Sequence, residues 1–144
     1  MEIRNVKKEF FILLVESDDD IREYLKNILK DSHFNLIEAK NLDEAFEAVR
    51  NINLHLVIAD YYLGFDKIDD LITLVKSDDY NIPIVVISEA AEAKRDLLDK
   101  GVNFFLSKPF RSWELRSIID NLRRDLMWSG SLLIDSVLLN LSGP

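Results

Sequence analysis

The stretch HLVIA (residues 55–59), closed by Asp60, decides the fold. A strand with one wet face alternates apolar and polar residues. An unbroken apolar run is what a strand shows when both faces of its sheet are covered. FFILLV (10–15) and IPIVVI (82–87) have the same character, and FNLIEA (34–39) and NFFLS (103–107) complete a set of five such runs.

Helical spacing fills the intervals. Ile21, Leu25, Ile28 and Leu29 share one face over 19–30; Leu42, Ala45, Phe46 and Val49 do so over 42–50. Asn41 followed by Glu44 reads as a helix start of the capping-box type. Ile68, Leu71, Ile72 and Val75 predict a helix over 68–77, and Leu97 and Leu98 mark a further one in the Ala-rich 90–100, with Gly101 as its C-cap. Leu115, Ile118, Ile119, Leu122 and Leu126 predict the last, over 112–127. Strand and helix therefore alternate five times. That gives an α/β fold, a doubly wound five-stranded parallel sheet with the order 2-1-3-4-5.

Composition narrows the function. The 144 residues make one domain of ordinary size, 48% hydrophobic, with a net charge of −8. An acidic surface repels phosphates, so direct nucleic-acid or anionic-membrane binding is not expected, whereas a divalent cation is welcome. Without cysteine there is no disulfide, thiolate metal site or thiol nucleophile. MEIRNVKKEF (1–10) lacks the apolar core of a secretory signal, and no run is long enough to span a membrane. A cytoplasmic protein is the expectation.

Ligands of such sheets sit beyond the carboxyl ends of the strands, where the strand order reverses. Glu16 and Ser17 follow the first run, Asp60 the third, Ser88 and Glu89 the fourth, and Lys108-Pro109 the fifth. Two carboxylates on adjacent strands repel unless a cation lies between them or one is protonated. Mg²⁺ suits such a pair, because it keeps several waters and takes only one or two carboxylates plus phosphate oxygens. A lysine and a hydroxyl facing a carboxylate beside a metal describe a phosphoryl acceptor.

On these residues the chain resembles the receiver domain of two-component response regulators over roughly residues 9–126. LVIADYYL, PIVVIS and FFLSKPF stand close to the family's form. The resemblance implies a (βα)5 receiver domain over 1–128, a signalling module and not an enzyme. It implies that Asp60 accepts a phosphoryl group from a histidine kinase or phosphotransfer protein, with Mg²⁺ as cofactor. Glu16, Asp60 and the Tyr62 backbone carbonyl would hold the metal, with Ser17 or Asp18 as a further ligand. Lys108 and Ser88 would meet the phosphoryl oxygens. Ser88 and Phe105 would form a switch pair acting on the face of the fourth helix, fifth strand and fifth helix.

The chain also departs from the family. Ser17 replaces the second acid, so Mg²⁺ should bind more loosely. Gly64 stands where proline is common and Ile68 where glycine is, so the loop after Asp60 should take its own path. Glu89 replaces a small residue and would repel an incoming phosphoryl group; Phe105 lacks a phenol hydroxyl. These departures support an alternative, a receiver-like interaction module independent of phosphorylation. A flavodoxin-like enzyme is disfavoured by the lack of a Gly-rich phosphate loop. Asp18, Asp19 and Asp20 belong to the first turn of a helix, where negative charge is favoured. His33 and His55 have no ligand-spaced partners and read as surface residues. Residues 129–144, with Leu133, Ile134, Val137, Leu138 and Leu141 on one helical face, read either as a helical extension that could join two copies into a homodimer or as a strand that starts a linker or effector region.

Overall fold

The computed structural model describes residues 10–30 and 34–128. The tail 129–144 and His33 lie outside them. The five runs form β1 (Phe10–Val15), β2 (Phe34–Ala39), β3 (Leu56–Asp60), β4 (Ile84–Ser88) and β5 (Phe104–Ser107). They pair in parallel in the order β2-β1-β3-β4-β5. The α-helices are α1 (Asp19–Ile28), α2 (Leu42–Asn51), α3 (Asp69–Val75), α4 (Lys94–Asp99) and α5 (Ser112–Trp128). Among the described residues, those up to Phe110 form one compact unit and those from Arg111 onward a second.

The apolar runs are continuous because their residues are buried alternately under both sheet faces. Ile12, Leu13, Leu14 and Val15 of β1 are fully buried, as are Leu56, Val57 and Ile58 of β3. Each such side chain contributes roughly 1.5–3 kcal/mol relative to exposure. Ile68, Leu71, Ile72 and Val75 seal one face, with Ala45, Ala48 and Val49 of α2 in the same cluster. In the second unit, α5 buries Leu115, Ile119 and Leu122 at helical spacing and leaves Trp113 exposed.

Helix ends follow local chemistry. Asp18 caps α1, its Oδ1 accepting from the Asp20 and Ile21 amides at 2.9 and 3.0 Å. The acids following it thus begin a helix, and this Asp18 oxygen is committed to the cap. Asn41 caps α2 by accepting from the Glu44 amide (2.8 Å), while Glu44 reaches one residue further back than a capping box requires, to the Lys40 amide (3.1 Å). Gly101 ends α4 with φ +100°: its amide bonds Leu98 O and that of Val102 bonds Leu97 O, the Schellman pattern. The Ala-rich segment before α4 begins with one 3₁₀ turn, Ala91–Ala93, so α4 itself is shorter than its periodicity suggested.

The loop after Asp60 folds back on itself. Tyr62–Leu63 and Asp66–Lys67 pair as a small antiparallel hairpin. Its first turn residue, Gly64, has φ +65° while Phe65 is not left-handed, the arrangement of a II′ turn. Proline, locked near −65°, does not fit there.

His55 corrects the reading of it as a surface residue. It is half-buried at the amino end of β3, stacks on Phe10 and Phe11, and accepts from the Phe11 amide through Nδ1 at 3.0 Å. Burial holds its pKa below the ordinary value. The unfolded chain therefore takes up this proton first as pH falls, and the stability contributed by neutral His55 declines below about pH 6.5. His55→Gln is expected to cost about 1 kcal/mol near neutrality, and the difference from wild type should shrink by about pH 5. Denaturant unfolding at both pH values measures it; a difference independent of pH contradicts it.

Candidate functional site

The site lies where the strand order reverses, since β1 has β2 on one side and β3 on the other. β1 delivers Glu16, β3 ends on Asp60, β4 ends on Ser88, and Lys108 follows β5, joined by a cis peptide to Pro109. The Lys108 amide donates to Ser88 O at 3.0 Å, which ties the ends of β4 and β5 together.

The structure brings three charged groups together. Lys108 Nζ lies 2.7 Å from Asp60 Oδ2 and 3.8 Å from Glu16 Oε1. The other Asp60 oxygen accepts from the Tyr62 amide at 3.2 Å. Asp60 remains open to an incoming group, its side chain 16% exposed. Glu16 is the opposite case, with a side chain 2% exposed. Its Oε2 accepts from the Ser17 amide at 2.9 Å, whereas Oε1 is buried with no hydrogen-bond partner. Burial, and then the nearby Asp60 charge, push the Glu16 pKa up to about 7; Lys108 only partly opposes this.

A buried carboxylate oxygen without a donor, facing a second carboxylate, fits a hard cation. Glu16 and Asp60 would hold it, with water filling the remaining positions. Among the described residues no group of three or more acidic or histidine side chains could hold a metal. Ser17, next to Glu16 in the chain, is exposed.

Ser88 is fully buried and its Oγ accepts from the Ala90 amide at 3.0 Å, so it caps the turn after β4 as well as standing at the strand end. Phe105, opposite Val86 in the register, packs partly buried against the core. Glu89 is exposed and, with Glu16, Asp60 and Lys108, lines a cleft of about 310 Å³. Ile21 and Tyr24 of α1 and Phe110 also line the cleft, the Tyr24 and Phe110 ring centroids lying 6.3 Å apart. Ile21, expected on the buried face of α1, instead faces this cleft, and Arg22 takes the buried position. Arg22 escaped the sequence reading although its spacing to Leu25 and Leu29 places it on the apolar stripe.

Comparison with known proteins identifies a family for this chain. A family model for the response regulator receiver domain matches residues 12–120. The chain is 27% identical over 122 residues to hybrid signal transduction histidine kinase D of Dictyostelium discoideum, a match that covers 82% of the chain but 8% of that kinase. It is 27% identical over 124 residues to chemotaxis protein CheY-3 of Vibrio cholerae, covering 81% of the chain and 94% of that protein. The receiver domain of Francisella response regulator 1452 superposes with a TM-score of 0.74 at 20% identity, over 81% of this chain and 98% of that one. Among the described residues no helix is long and apolar enough to cross a membrane.

Proposed function

This chain belongs to the receiver-domain family of two-component response regulators, and we propose that Asp60 is its phosphoacceptor, served by Mg²⁺ and by Lys108. Receiver domains interact with histidine kinases or phosphotransfer proteins, and a phosphohistidine of such a partner is the proposed donor. The observation that carries the reading is the Lys108–Asp60 contact of 2.7 Å beside the unpartnered, buried Glu16 Oε1.

Asp60 would attack the phosphorus of the phosphohistidine. A phosphorus–oxygen bond forms to the carboxylate and the phosphorus–nitrogen bond breaks. The imidazole leaves with the nitrogen electron pair and is protonated by solvent. Mg²⁺, when bound, offsets the negative charge of phosphoryl and carboxylate oxygens. Lys108 moves from Asp60 to a phosphoryl oxygen, a role suited to a compact ammonium on a flexible stem. Ser88, at the adjacent strand end, would leave its Ala90 bond to donate to another phosphoryl oxygen, and Phe105 would repack into the space vacated. The face formed by α4 and β5 would carry that change to a partner or effector.

A second reading is favoured by one observation: Glu89 lines the cleft and adds a third carboxylate facing one lysine. In that reading the fold serves as an interaction module without phosphate, and Asp60→Asn would keep full partner binding. The domain is proposed to run over 1–128, with 129–144 as an extension or the start of a linker or effector region.

The metal half of the reading is tested at Ser17. Ser17→Asp supplies the missing acid and is expected to tighten Mg²⁺ about tenfold. Calorimetric titration measures this, and an unchanged Kd contradicts it.

A further inference from the structure

We propose that Arg22 is a positioning residue for the cation site: it fixes the peptide plane that aims the Glu16 carboxylate. The inference rests on the receiver reading above and extends it to a residue outside the charged cluster.

Arg22 is 7% exposed on α1. A guanidinium is buried at a cost unless its donors are matched, and here they are. Nε donates to Glu38 Oε1 of β2 at 2.9 Å and Nη2 to Asp19 Oδ1 at 2.5 Å. Nη1 donates to the backbone carbonyl of Glu16 at 3.0 Å. Lys26, 3.4 Å from the other Glu38 oxygen, holds that acid from its far side.

The Glu16 carbonyl belongs to the same peptide unit as the Ser17 amide, and that amide donates to Glu16 Oε2 at 2.9 Å. One peptide plane is thus gripped by Arg22 at its oxygen and grips the Glu16 carboxylate at its N–H. With Oε2 held there, Oε1 is left as the buried, unpartnered oxygen beside Lys108. Without Arg22, that plane is free to turn and the carboxylate loses its aim. The consequence is larger here than where two acids follow β1. With Ser17 neutral, Glu16 is the one acid at this strand end, since Asp18 caps α1.

The test compares Arg22→Met, Arg22→Lys and Asp19→Asn with wild type, using calorimetric Mg²⁺ titration, thermal unfolding and amide exchange of Ser17 in metal-free protein. Both Arg22 variants are expected to lose about 10–100-fold in Mg²⁺ affinity, the usual effect of removing a group that orients a metal ligand. Both should also exchange the Ser17 amide faster. Lysine keeps the charge but cannot reach three acceptors as a planar fork, so it should not rescue. Asp19→Asn, which removes only the charge of the exposed arm and keeps an oxygen that can accept from Arg22, should bind Mg²⁺ as wild type does. Should Arg22→Met fail to fold, Arg22→Lys carries the test. Folded Arg22 variants with wild-type Mg²⁺ affinity, or with unchanged Ser17 exchange, overturn the proposal. Wild type that binds no Mg²⁺ counts against the receiver cation site itself, and Ser17 exchange then decides the role of Arg22 alone.

Discussion

Lys108→Ala is expected to slow phosphoryl transfer to Asp60 by about 10²-fold, the usual effect of removing one donor aimed at developing charge. Lys108 is the one cationic side chain among the cleft-lining residues, against Glu16, Asp60 and Glu89. Removing it takes away the ammonium 2.7 Å from the Asp60 carboxylate, the proposed nucleophile. Mg²⁺ can still be held by Glu16 and Asp60, so binding of the metal should change far less than the rate. Initial rates of phosphoryl uptake at saturating Mg²⁺ measure the effect. A variant within about twofold of wild type would show that Lys108 does not meet the transferring group.

The second large effect concerns stability. In metal-free buffer near pH 8, Glu16→Gln is expected to exceed wild type by about 2–3 kcal/mol. The Glu16 pKa, ordinarily 4.5, is pushed up to about 7 by burial first and by Asp60 second. A raised acid pKa means that folding favours the protonated form. The penalty is absent below the unfolded-state value, grows as pH rises from there toward the folded value, and is complete above it. The advantage of glutamine should therefore vanish near pH 4 and shrink when Mg²⁺ is added to wild type. Denaturant unfolding with and without Mg²⁺ tests both signs. Equal stability of the two proteins near pH 8 would mean that Glu16 is not held against its charge.

The fold was legible because the five apolar runs carry their own period. β1 and β2 occupy the residues their hydrophobicity marks, and β3 and β4 end on Asp60 and Ser88, one residue beyond their apolar runs. Topology then brings Asp60 and Lys108 together although 48 residues separate them. What stayed hidden depends on geometry rather than pattern. Arg22 looks like a surface charge until its three acceptors converge. His55 looks free until Phe10 and Phe11 stack on it. The II′ turn at Gly64 shows why proline is missing there, a point the residue alone left open. Ser17 was legible as a gap; that Asp18 commits an oxygen to a helix cap and leaves Glu16 to stand alone needed coordinates.

The central claim, that Asp60 accepts a phosphoryl group, is tested most directly by intact-mass measurement. Wild type and Asp60→Asn are incubated with a small-molecule phosphodonor, with and without Mg²⁺. The account predicts a gain of one phosphoryl group in wild type with Mg²⁺, and none in Asp60→Asn or without metal. A gain of equal size in folded Asp60→Asn, or none in folded wild type with Mg²⁺, would contradict it.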